Sequence, residues 1–401
     1  MAVALMIDPP DWRGRGLMWS HLGSDESYAE LHAAAAALGI PGRGFDRDHY
    51  DVPAAMYEAA IVAGAHPVSS RELLRRMQAA GLRRRKADNP GRRAPGQPLL
   101  RPRRLRAGDR VRVVAPAGPA APAAVERGVA VLESWGLAVE LAEHVFAGSR
   151  TSYLAADDAA RAADLQAAWC DPAVAAVVCA RGGYGCQRIV DSLDWPALMA
   201  ARPSILVGFS DVTALHQAFA RVLGVVTVHG PVVTSLGAGD DASREHLRRT
   251  LFEPEATQDI INGLPVRRVV AGVASGVLVG GNLTVLSADA GTSTSRPAKG
   301  GIAVLEDQCE APYRIDRMLT QLLRAGWFDG VRAVALGLFS QCGADDATLD
   351  VLTERLEPLG VPVLAGLPIG HEGTNVAVPM GSPARLDADA GTLALTRPAL
   401  A

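Results

Sequence analysis

The hydrophobic positions of the chain fall into short β-branched runs separated by longer amphipathic stretches. Runs typical of buried strands occur at residues 111–116, 138–141, 174–179 and 204–207. Stretches with helical periodicity lie between and after them, at residues 123–135, 157–169 and 211–223. Strands that alternate with helices of about 10 to 15 residues predict a parallel sheet with helices on both faces. We therefore expect a Rossmann-like, doubly wound α/β domain in this part of the chain.

The pattern changes on both sides of this domain. After about residue 272, glycine-rich turns separate short predicted strands at residues 276–279, 301–305 and 333–338, with one clear helix at residues 315–324. This pattern of short strands and glycine-rich turns predicts a second, smaller α/β lobe, which is joined to the first across a turn at residues 280–282. Before the doubly wound domain, a strand is predicted at residues 1–7 and helices at residues 27–38 and 69–80, the latter opening at Ser69 or Ser70. The predicted fold class is thus α/β, with a small separate α/β domain at the N-terminus.

A basic, proline-rich segment separates the first unit from the rest. Between residues 83 and 106, ten lysines or arginines stand against one acidic residue, with four prolines among them. Such a block without apolar periodicity is typical of a solvated tether, and a basic nucleic-acid patch is the alternative. With 401 residues, the chain exceeds the usual size of a single-core domain. We predict an N-terminal domain at residues 1–82, a linker at 83–103, a Rossmann-like lobe at 104–270 and a C-terminal lobe at 271–401.

Composition and charge narrow the classes of partner. The formal net charge of −3 gives no electrostatic reason to expect a nucleic acid or an anionic membrane as partner. No run of about 20 apolar residues suggests a membrane span, and no signal peptide is recognised at the N-terminus. The five cysteines are an odd number without a CxxC pair, which fits a reducing compartment. We therefore expect a cytoplasmic location, without membrane or nucleic-acid partners.

Ser210 is the first candidate for a catalytic role. It follows an apolar run and precedes a predicted helix, so it would stand at the carboxyl end of a parallel strand, where open α/β sheets bind ligands. A serine hydroxyl needs a neighbouring base to act as a nucleophile at neutral pH. The segment at residues 208–211, Gly-Phe-Ser-Asp, lacks the second glycine of the GxSxG motif. Ser210 as the N-cap of the following helix is the alternative interpretation.

Two further segments offer groups for the same site. The turn at residues 181–185, Arg-Gly-Gly-Tyr-Gly, could bring backbone amides close to an oxyanion or a phosphate, and a plain tight turn is the alternative. Glu306 ends the predicted strand at residues 301–305, where a carboxylate needs a partner such as a histidine. Pairing of Glu306 with Arg314 or Arg317 is the alternative.

His371 is the candidate base. It lies in a glycine-rich loop, residues 370–375, between two apolar stretches, which suits a side chain that must reach across a cleft. A surface histidine without function is the alternative for this residue. His229, in Thr-Val-His-Gly-Pro at residues 227–231, is the competing candidate.

Polar residues cluster within the first unit, although in no recognisable ligand spacing. These residues are Asp8, Asp11, His21, His32, Asp46, Asp48 and His49. We interpret them as polar surface loops and helix caps, with a divalent metal or phosphate site as the alternative.

Taken together, the segments of the larger part resemble the LD-carboxypeptidase family of serine peptidases, which includes muramoyltetrapeptide carboxypeptidases and, as relatives, microcin C self-immunity enzymes. The matching pieces are residues 105–110, 114–118, 181–185, 208–211, 280–283, 305–307, 316–319 and 370–371. They occur in the family's order and span about residues 103–396. One departure is Cys186, which stands where a small hydroxyl residue is expected in many relatives.

The resemblance implies a catalytic triad, with Ser210 as nucleophile, His371 as general base and Glu306 as the carboxylate that orients the base. It places the serine in the Rossmann-like lobe and the other two residues in the C-terminal lobe. The active site would then form where the two lobes meet.

The resemblance also implies how the oxyanion is held and which substrate is cleaved. The backbone amide of Asp211 and one amide from Gly182 or Gly183 would hold the oxyanion. The substrate would be a murein tetrapeptide that loses its terminal D-alanine during peptidoglycan recycling, with no metal or other cofactor, in a homodimeric enzyme. Two alternatives stay open: a hydrolase of peptidyl-nucleotide amides of the microcin C self-immunity type, and a non-catalytic nucleotide- or peptide-binding protein.

The first 82 residues lie outside this resemblance. Their segments at residues 6–12 and 44–50 resemble a small uncharacterised bacterial domain that also occurs alone. If this unit bound a nucleotide or a metal through Asp8, His21 or His49, it could place the peptidase near UDP-linked precursors.

Overall fold

The computed structural model describes residues 5–14, 17–41, 44–46, 48–82, 96–261, 263 and 265–401. The chain divides into two compact units, Met1–Asn89 and Pro90–Ala401. Most of the predicted linker, residues 83–95, lies outside the described residues, as do residues 1–4 of the first predicted strand.

The first unit is built on a mixed sheet flanked by helices. Its strands are β1 (Leu5–Ile7), β2 (Trp12–Gly14), β3 (Leu17–Ser24), β4 (Phe45–Asp46), β5 (His49–Pro53) and β6 (His66–Pro67). Its helices are α1 (Tyr28–Ala37), α2 (Tyr57–Val62) and α3 (Ser70–Ala79). The strand order is β4-β5-β3-β1-β6, and β2 pairs with β3.

Local sequence signals set the helix boundaries in this unit. The side chain of Ser69 accepts a hydrogen bond from the backbone N–H of Glu72, so Ser69 is the N-cap of α3, one of the two positions that the sequence predicts. Ser27 caps α1 in the same way through the N–H of Glu30. Leu73 and Met77 of α3 are buried, and their spacing of four residues places them on one face of the helix.

The second unit contains two further sheets. Its strands are β7 (Arg110–Val114), β8 (Ala138–Leu141), β9 (Val174–Cys179), β10 (Ile205–Gly208), β11 (Thr227–His229), β12 (Arg267–Val270), β13 (Val273–Asn282), β14 (Gly301–Gln308), β15 (Ala333–Ser340), β16 (Val363–Ala365), β17 (Val378–Met380), β18 (Pro383–Asp387) and β19 (Thr392–Leu395). Its helices are α4 (Pro122–Ser134), α5 (Asp158–Cys170), α6 (Cys186–Ile189), α7 (Trp195–Ala200), α8 (Thr213–Ala218), α9 (Val233–Ala238), α10 (Asp241–Phe252), α11 (Leu283–Asp289), α12 (Pro312–Arg324) and α13 (Asp345–Leu356).

The first of these sheets has the order β17-β11-β10-β9-β7-β8. Strands β7 to β11 run parallel, and β17 pairs antiparallel with β11 at the edge. Every residue of β9 and β10 is buried, as expected for central parallel strands covered on both faces. The α/β fold class predicted from the sequence is therefore confirmed, because strands and helices alternate here as expected.

The second sheet has the order β12-β16-β15-β14-β13-β18-β19. Its four central strands, β13 to β16, are parallel, and antiparallel strands extend it on both sides. The predicted helix at residues 315–324 is confirmed as α12, whereas α11 and α13 are additional. The largest apolar core of the chain takes residues from both sheets, so the two lobes share one continuous interior.

One prediction about this region is wrong. Residues 280–282 do not form a turn between lobes but end strand β13 inside the second sheet. Gly280 and Gly281 have φ values of 133° and 128°, which favour glycine. A Cβ on Gly280 would lie 2.0 Å from the carbonyl oxygen of Val304, so the neighbouring strand leaves room only for a hydrogen. Asn282 then caps α11 through the N–H of Val285.

Candidate active site

Ser210 follows strand β10 after one intervening residue and has a strained backbone conformation. It opens a 3₁₀ turn, Ser210–Val212, and its φ is 63°. A left-handed φ is uncommon for a residue with a side chain, and such strain concentrates at functional sites. The capping interpretation is wrong, because α8 begins at Thr213 and no side chain caps it. The serine side chain is therefore not engaged as a helix cap.

The glycine turn after strand β9 lies against Ser210. A Cβ built on Gly182 would be 2.9 Å from the Cβ and 3.1 Å from the Oγ of Ser210. Gly183 has φ 109°, and the carbonyl of Gly182 accepts a hydrogen bond of 3.0 Å from the N–H of Gly118. A side chain at Gly182 would collide with the serine, so glycine is required here for steric reasons.

A buried arginine holds this turn in place, and sequence reasoning missed it. Arg161 of α5 is 1% exposed and donates from Nη1 to the carbonyl oxygens of Gly185, at 2.9 Å, and of Pro116. Its Nη2 pairs with Asp158. The guanidinium thus joins the loops that follow β7 and β9. The signal in the sequence was a charged residue four positions from Leu165 on the buried face of α5.

Asp211 has a structural role through its side chain. Its carboxylate is 4% exposed and accepts a hydrogen bond of 2.8 Å from the backbone N–H of Cys186, at the start of α6. Burial raises the pKa of Asp211 above its ordinary value, and the hydrogen bond from Cys186 opposes this shift. This contact fixes the residue after Ser210 against the glycine turn.

Glu306 and His371 form a hydrogen-bonded pair. The Nδ1 of His371 lies 2.8 Å from the Oε2 of Glu306, whose fully buried side chain belongs to β14; this strand continues two residues beyond Glu306, past its predicted end. Gly370 has φ 143°, which lets the loop approach the carboxylate. The predicted alternative, pairing of Glu306 with an arginine, is wrong: Arg314 pairs with Glu310, and Arg317 lies over the ring of Tyr313.

The pair leaves one imidazole nitrogen for chemistry. Within the described residues, the buried Nε2 of His371 has no hydrogen-bond partner. The ring of His371 packs on the ring of Phe209, with 4.7 Å between their centroids. Since Phe209 precedes Ser210, the serine segment and the Glu306–His371 pair meet in one place. The three segments singled out in the sequence are therefore neighbours in the fold.

His229, the competing histidine, lies in different surroundings. It ends strand β11, is fully buried, and neither ring nitrogen has a hydrogen-bond partner among the described residues. Burial lowers the pKa of His229 well below its ordinary value. Its ring centroid is 5.9 Å from that of Phe209, so it packs behind the serine segment. Among the residues that the structure describes, no carboxylate is hydrogen-bonded to its ring, in contrast to His371.

Asp307, the residue after Glu306, organises the junction with α11. Its carboxylate accepts hydrogen bonds from the side chain of Asn282, at 3.0 Å, and from both the N–H and the hydroxyl of Thr284, at 2.8 Å each. Burial, with a smaller contribution from the charge of Glu306, raises the pKa of Asp307 to about 6. These contacts fix the end of the strand that carries Glu306.

The polar cluster of the first unit differs from its predicted description as surface loops and caps. Asp8 and Asp48 are fully buried, and His21 and His49 belong to strands β3 and β5. Over the ranges that the structure describes, the candidate metal ligands that come together are in this unit: His21, His49 and Asp51. The interpretation as loops failed because strand pairing brings distant residues to one face of the sheet.

Comparison with known proteins agrees with this architecture. A family model described as the LD-carboxypeptidase N-terminal domain matches residues 111–230, and one described as the LD-carboxypeptidase C-terminal domain matches residues 275–386. A family of unknown function, DUF4031, matches residues 5–80. The gap between the two peptidase matches separates strand β11 of the first sheet from most of strand β13 of the second.

Relatives and solved structures give the same result. A "putative carboxypeptidase" of Streptomyces coelicolor is 53% identical over 75% of this chain and 98% of its own length. A "murein tetrapeptide carboxypeptidase" of Pseudomonas aeruginosa is 36% identical over 69% of this chain and 93% of its own. The crystal structure of a muramoyltetrapeptide carboxypeptidase from Oxalobacter formigenes is 30% identical, with TM-score 0.60, covering 71% of this chain and 97% of that one. A structure of the microcin C7 self immunity protein shares the fold. It is 23% identical, with TM-score 0.68, and covers 75% of this chain and 100% of that one.

The second unit is thus a peptidase fold in which two sheets meet around a serine segment and a histidine–carboxylate pair. The chain belongs to the LD-carboxypeptidase family, and it carries an N-terminal domain of the DUF4031 family. The resemblance drawn from the sequence is confirmed for both parts. In the part of the chain that the structure describes, no helix has the length and apolar character to cross a membrane.

Proposed function

We propose that this protein is a serine-type LD-carboxypeptidase that releases the terminal D-alanine of murein tetrapeptides. The observation that carries the proposal is the Glu306–His371 hydrogen bond of 2.8 Å, which leaves the buried Nε2 of His371 unpaired beside the segment of Ser210. A carboxylate bound to Nδ1 fixes the tautomer in which Nε2 can accept a proton. That is the state a general base requires.

In the proposed mechanism, His371 Nε2 takes the proton of the Ser210 hydroxyl as the oxygen attacks the carbonyl carbon of the scissile bond. The backbone amide of Asp211 and an amide of Gly182 or Gly183 stabilise the resulting oxyanion. Collapse breaks the C–N bond, and the protonated imidazole gives its proton to the leaving amine of D-alanine. Water, activated by His371, then hydrolyses the acyl-enzyme and restores the serine.

The substrate is inferred from the relatives. Proteins named as murein peptide or murein tetrapeptide carboxypeptidases are 35% and 36% identical to this chain. We propose that the enzyme acts in the cytoplasm on recycled murein fragments and forms a homodimer. The five free cysteines are compatible with a reducing compartment. Light scattering coupled to size exclusion tests the oligomeric state.

Mass spectrometry of incubated tetrapeptide tests the proposal. Wild-type protein should release one D-alanine from L-Ala-D-Glu-diaminopimelate-D-Ala, and Ser210→Ala should lose turnover by about 10⁴ or more. Ser134→Ala, on the exposed side of α4, serves as the matched control and should keep full activity. A Ser210→Ala variant as fast as wild type would falsify the triad.

The same assay separates the alternatives. If wild type leaves the tetrapeptide intact but cleaves a peptidyl-nucleotide amide in a Ser210-dependent way, the substrate class is that of the self-immunity enzymes. If it cleaves neither, the enzymatic proposal is wrong and the non-catalytic binding protein remains. The Glu306–His371 hydrogen bond beside the segment of Ser210 supports catalysis over binding, since a serine nucleophile requires an oriented base.

A further inference from the structure

Two histidines and an aspartate meet on one face of the sheet in the first unit. Strand pairing places His21 of β3 directly opposite Asp51 of β5. His49 lies two residues before Asp51 on the same strand, so its side chain points to the same face. The nearest ligand atoms of the three residues all lie within 4.8 Å of one another.

Both imidazole rings are oriented by buried carboxylates. The Nδ1 of His21 lies 2.9 Å from the Oδ2 of Asp8, and the Nδ1 of His49 lies 2.6 Å from the Oδ1 of Asp48. Asp8 and Asp48 are both fully buried. In metal sites, a carboxylate on the far nitrogen commonly fixes the ring and its tautomer, so that the other nitrogen can bind the ion.

The second ring nitrogen of each histidine, Nε2, lies near Asp51. The Nε2 of His49 lies 3.4 Å from the Oδ1 of Asp51, and the Nε2 of His21 lies 3.9 Å from the same oxygen. With metal–ligand bonds of about 2.0–2.2 Å, the ligand atoms of a tetrahedral site are separated by roughly 3.3–3.5 Å. The distance from His49 to Asp51 already matches this spacing, and the distance from His21 to Asp51 exceeds it by a few tenths of an ångström.

We propose that the N-terminal unit binds one divalent transition-metal ion, with the Nε2 atoms of His21 and His49 and the carboxylate of Asp51 as ligands. Two imidazoles with one carboxylate suit zinc and its first-row neighbours, whereas magnesium and calcium prefer oxygen alone. Three carboxylates, those of Asp8, Asp48 and Asp51, surround the two rings.

The proposed site is of the open type. Three protein ligands leave at least one coordination position for water or a substrate atom, as in catalytic zinc sites. The side chain of Asp51 is 49% exposed, which gives that position access from solvent. The edge of the half-exposed Trp12 ring packs on His21, with 5.0 Å between their centroids, and its Nε1 donates to Asp8. The inference concerns the first unit alone and does not depend on the proposed peptidase activity.

Metal titration of the untagged full-length chain, stripped with a chelator, tests the site. Zn²⁺ in competition with a chromophoric chelator should reveal one tight site per wild-type chain, and Co²⁺ should give the visible absorption of a coordinated ion. His49→Ala and Asp51→Ala should each weaken the binding at least tenfold. His66→Ala, which removes an exposed histidine of the same unit, is the matched control and should bind like wild type.

A fourth variant distinguishes a ligand from a residue that positions one. Asp8→Asn should keep one ion per chain but weaken the affinity about 10- to 100-fold, because the ring of His21 loses its orienting carboxylate. If His49→Ala fails to fold, as judged by circular dichroism, the metal affinity of Asp51→Ala alone tests the proposal, because the side chain of Asp51 is half-exposed. A wild-type chain without a tight site, or His49→Ala and Asp51→Ala variants that bind as tightly as His66→Ala, would overturn the proposal.

Discussion

At the scale of single residues, His371 and His229 have similar positions beside Phe209 but different chemistry. His371 is bound by a carboxylate at Nδ1, whereas His229 is fully buried without a hydrogen-bond partner in the described ranges. A serine nucleophile requires an imidazole that is oriented for proton transfer, and of these two histidines it is His371 that a carboxylate contacts in the described residues. The two histidines can therefore be separated by substitution.

We predict that His371→Gln lowers kcat/KM on the tetrapeptide by on the order of 10³ to 10⁴. His229→Gln should keep most of the turnover, because neither ring nitrogen of His229 has a hydrogen-bond partner among the described residues. Steady-state kinetics with both variants, each checked for folding by circular dichroism, measures this difference. The reverse ranking, with His229→Gln inactive and His371→Gln active, would assign the base to His229.

At the scale of elements, two glycines whose neighbours leave no room for a side chain should produce opposite phenotypes. A Cβ on Gly182 would meet the Cβ of Ser210 at 2.9 Å, whereas a Cβ on Gly128, in α4, would meet the carbonyl oxygen of Val233, in α9, at 1.9 Å. The first contact is with the proposed nucleophile, and the second joins two helices away from it. Replacement by alanine therefore tests the candidate active site at Gly182 and the packing of α4 against α9 at Gly128.

We predict that Gly182→Ala abolishes most turnover while it changes the melting temperature little. Gly128→Ala should lower the free energy of unfolding by about 1–3 kcal/mol, because α4 and α9 must move apart, yet the folded fraction should retain its kcat. Calorimetry and kinetics on both variants measure the two effects. Full activity in Gly182→Ala would mean that the turn can move away from Ser210 without consequence.

At the scale of the whole molecule, buried neutral histidines should make the peptidase unit sensitive to acid. Burial lowers the pKa of His216 and of His246 to about 4 each, from an ordinary value of 6.5. His216 of α8 contacts the hydroxyl of Thr227 and the carbonyl of Gly208, so it links this helix to the strand that leads to Ser210. A depressed pKa in the folded state means that the unfolded chain binds protons first as the pH falls.

The resulting stability is complete above about pH 6.5 and is lost as the pH falls towards 4, by roughly 1.4 kcal/mol per pH unit for each histidine. We predict that the unfolding transition of this unit moves to lower temperature between pH 7 and pH 5 in calorimetry. His246→Gln, which can still accept the hydrogen bond that the N–H of Ala377 donates to His246, should show a shallower pH dependence than wild type. If the melting temperatures of both proteins depend equally on pH, the pKa of His246 is not lowered in the folded state.

The sequence predicts local features of this chain better than long-range ones. The α/β class follows from the alternation of strands and helices, and the N-cap of α3 follows from a serine three residues before a glutamate. The prediction of a turn at the glycine pair that ends β13 is wrong. Glycine is required there because Val304 and Thr213, which are distant in sequence, come too close to leave room for a side chain.

For the candidate sites too, the sequence does not reveal contacts between segments that are far apart along the chain. The sequence singled out Glu306 and His371, but the part played by Arg161 depends on carbonyls in two separate loops. The ligands of the proposed metal site come together only through the pairing of β3 with β5. The roles assigned to Ser210, Asp211 and the glycine turn stay predictions until the variants are measured.

The last strand of the doubly wound sheet comes from near the end of the chain. Strand β17 pairs with β11, and the loop with His371 lies between β16 of one sheet and β17 of the other. Ala401 also exchanges backbone hydrogen bonds with residues 102 and 104. During synthesis, the edge of β11 therefore stays open until residues 378–380 have left the ribosome. A product truncated before β17 would expose an unpaired strand edge at β11.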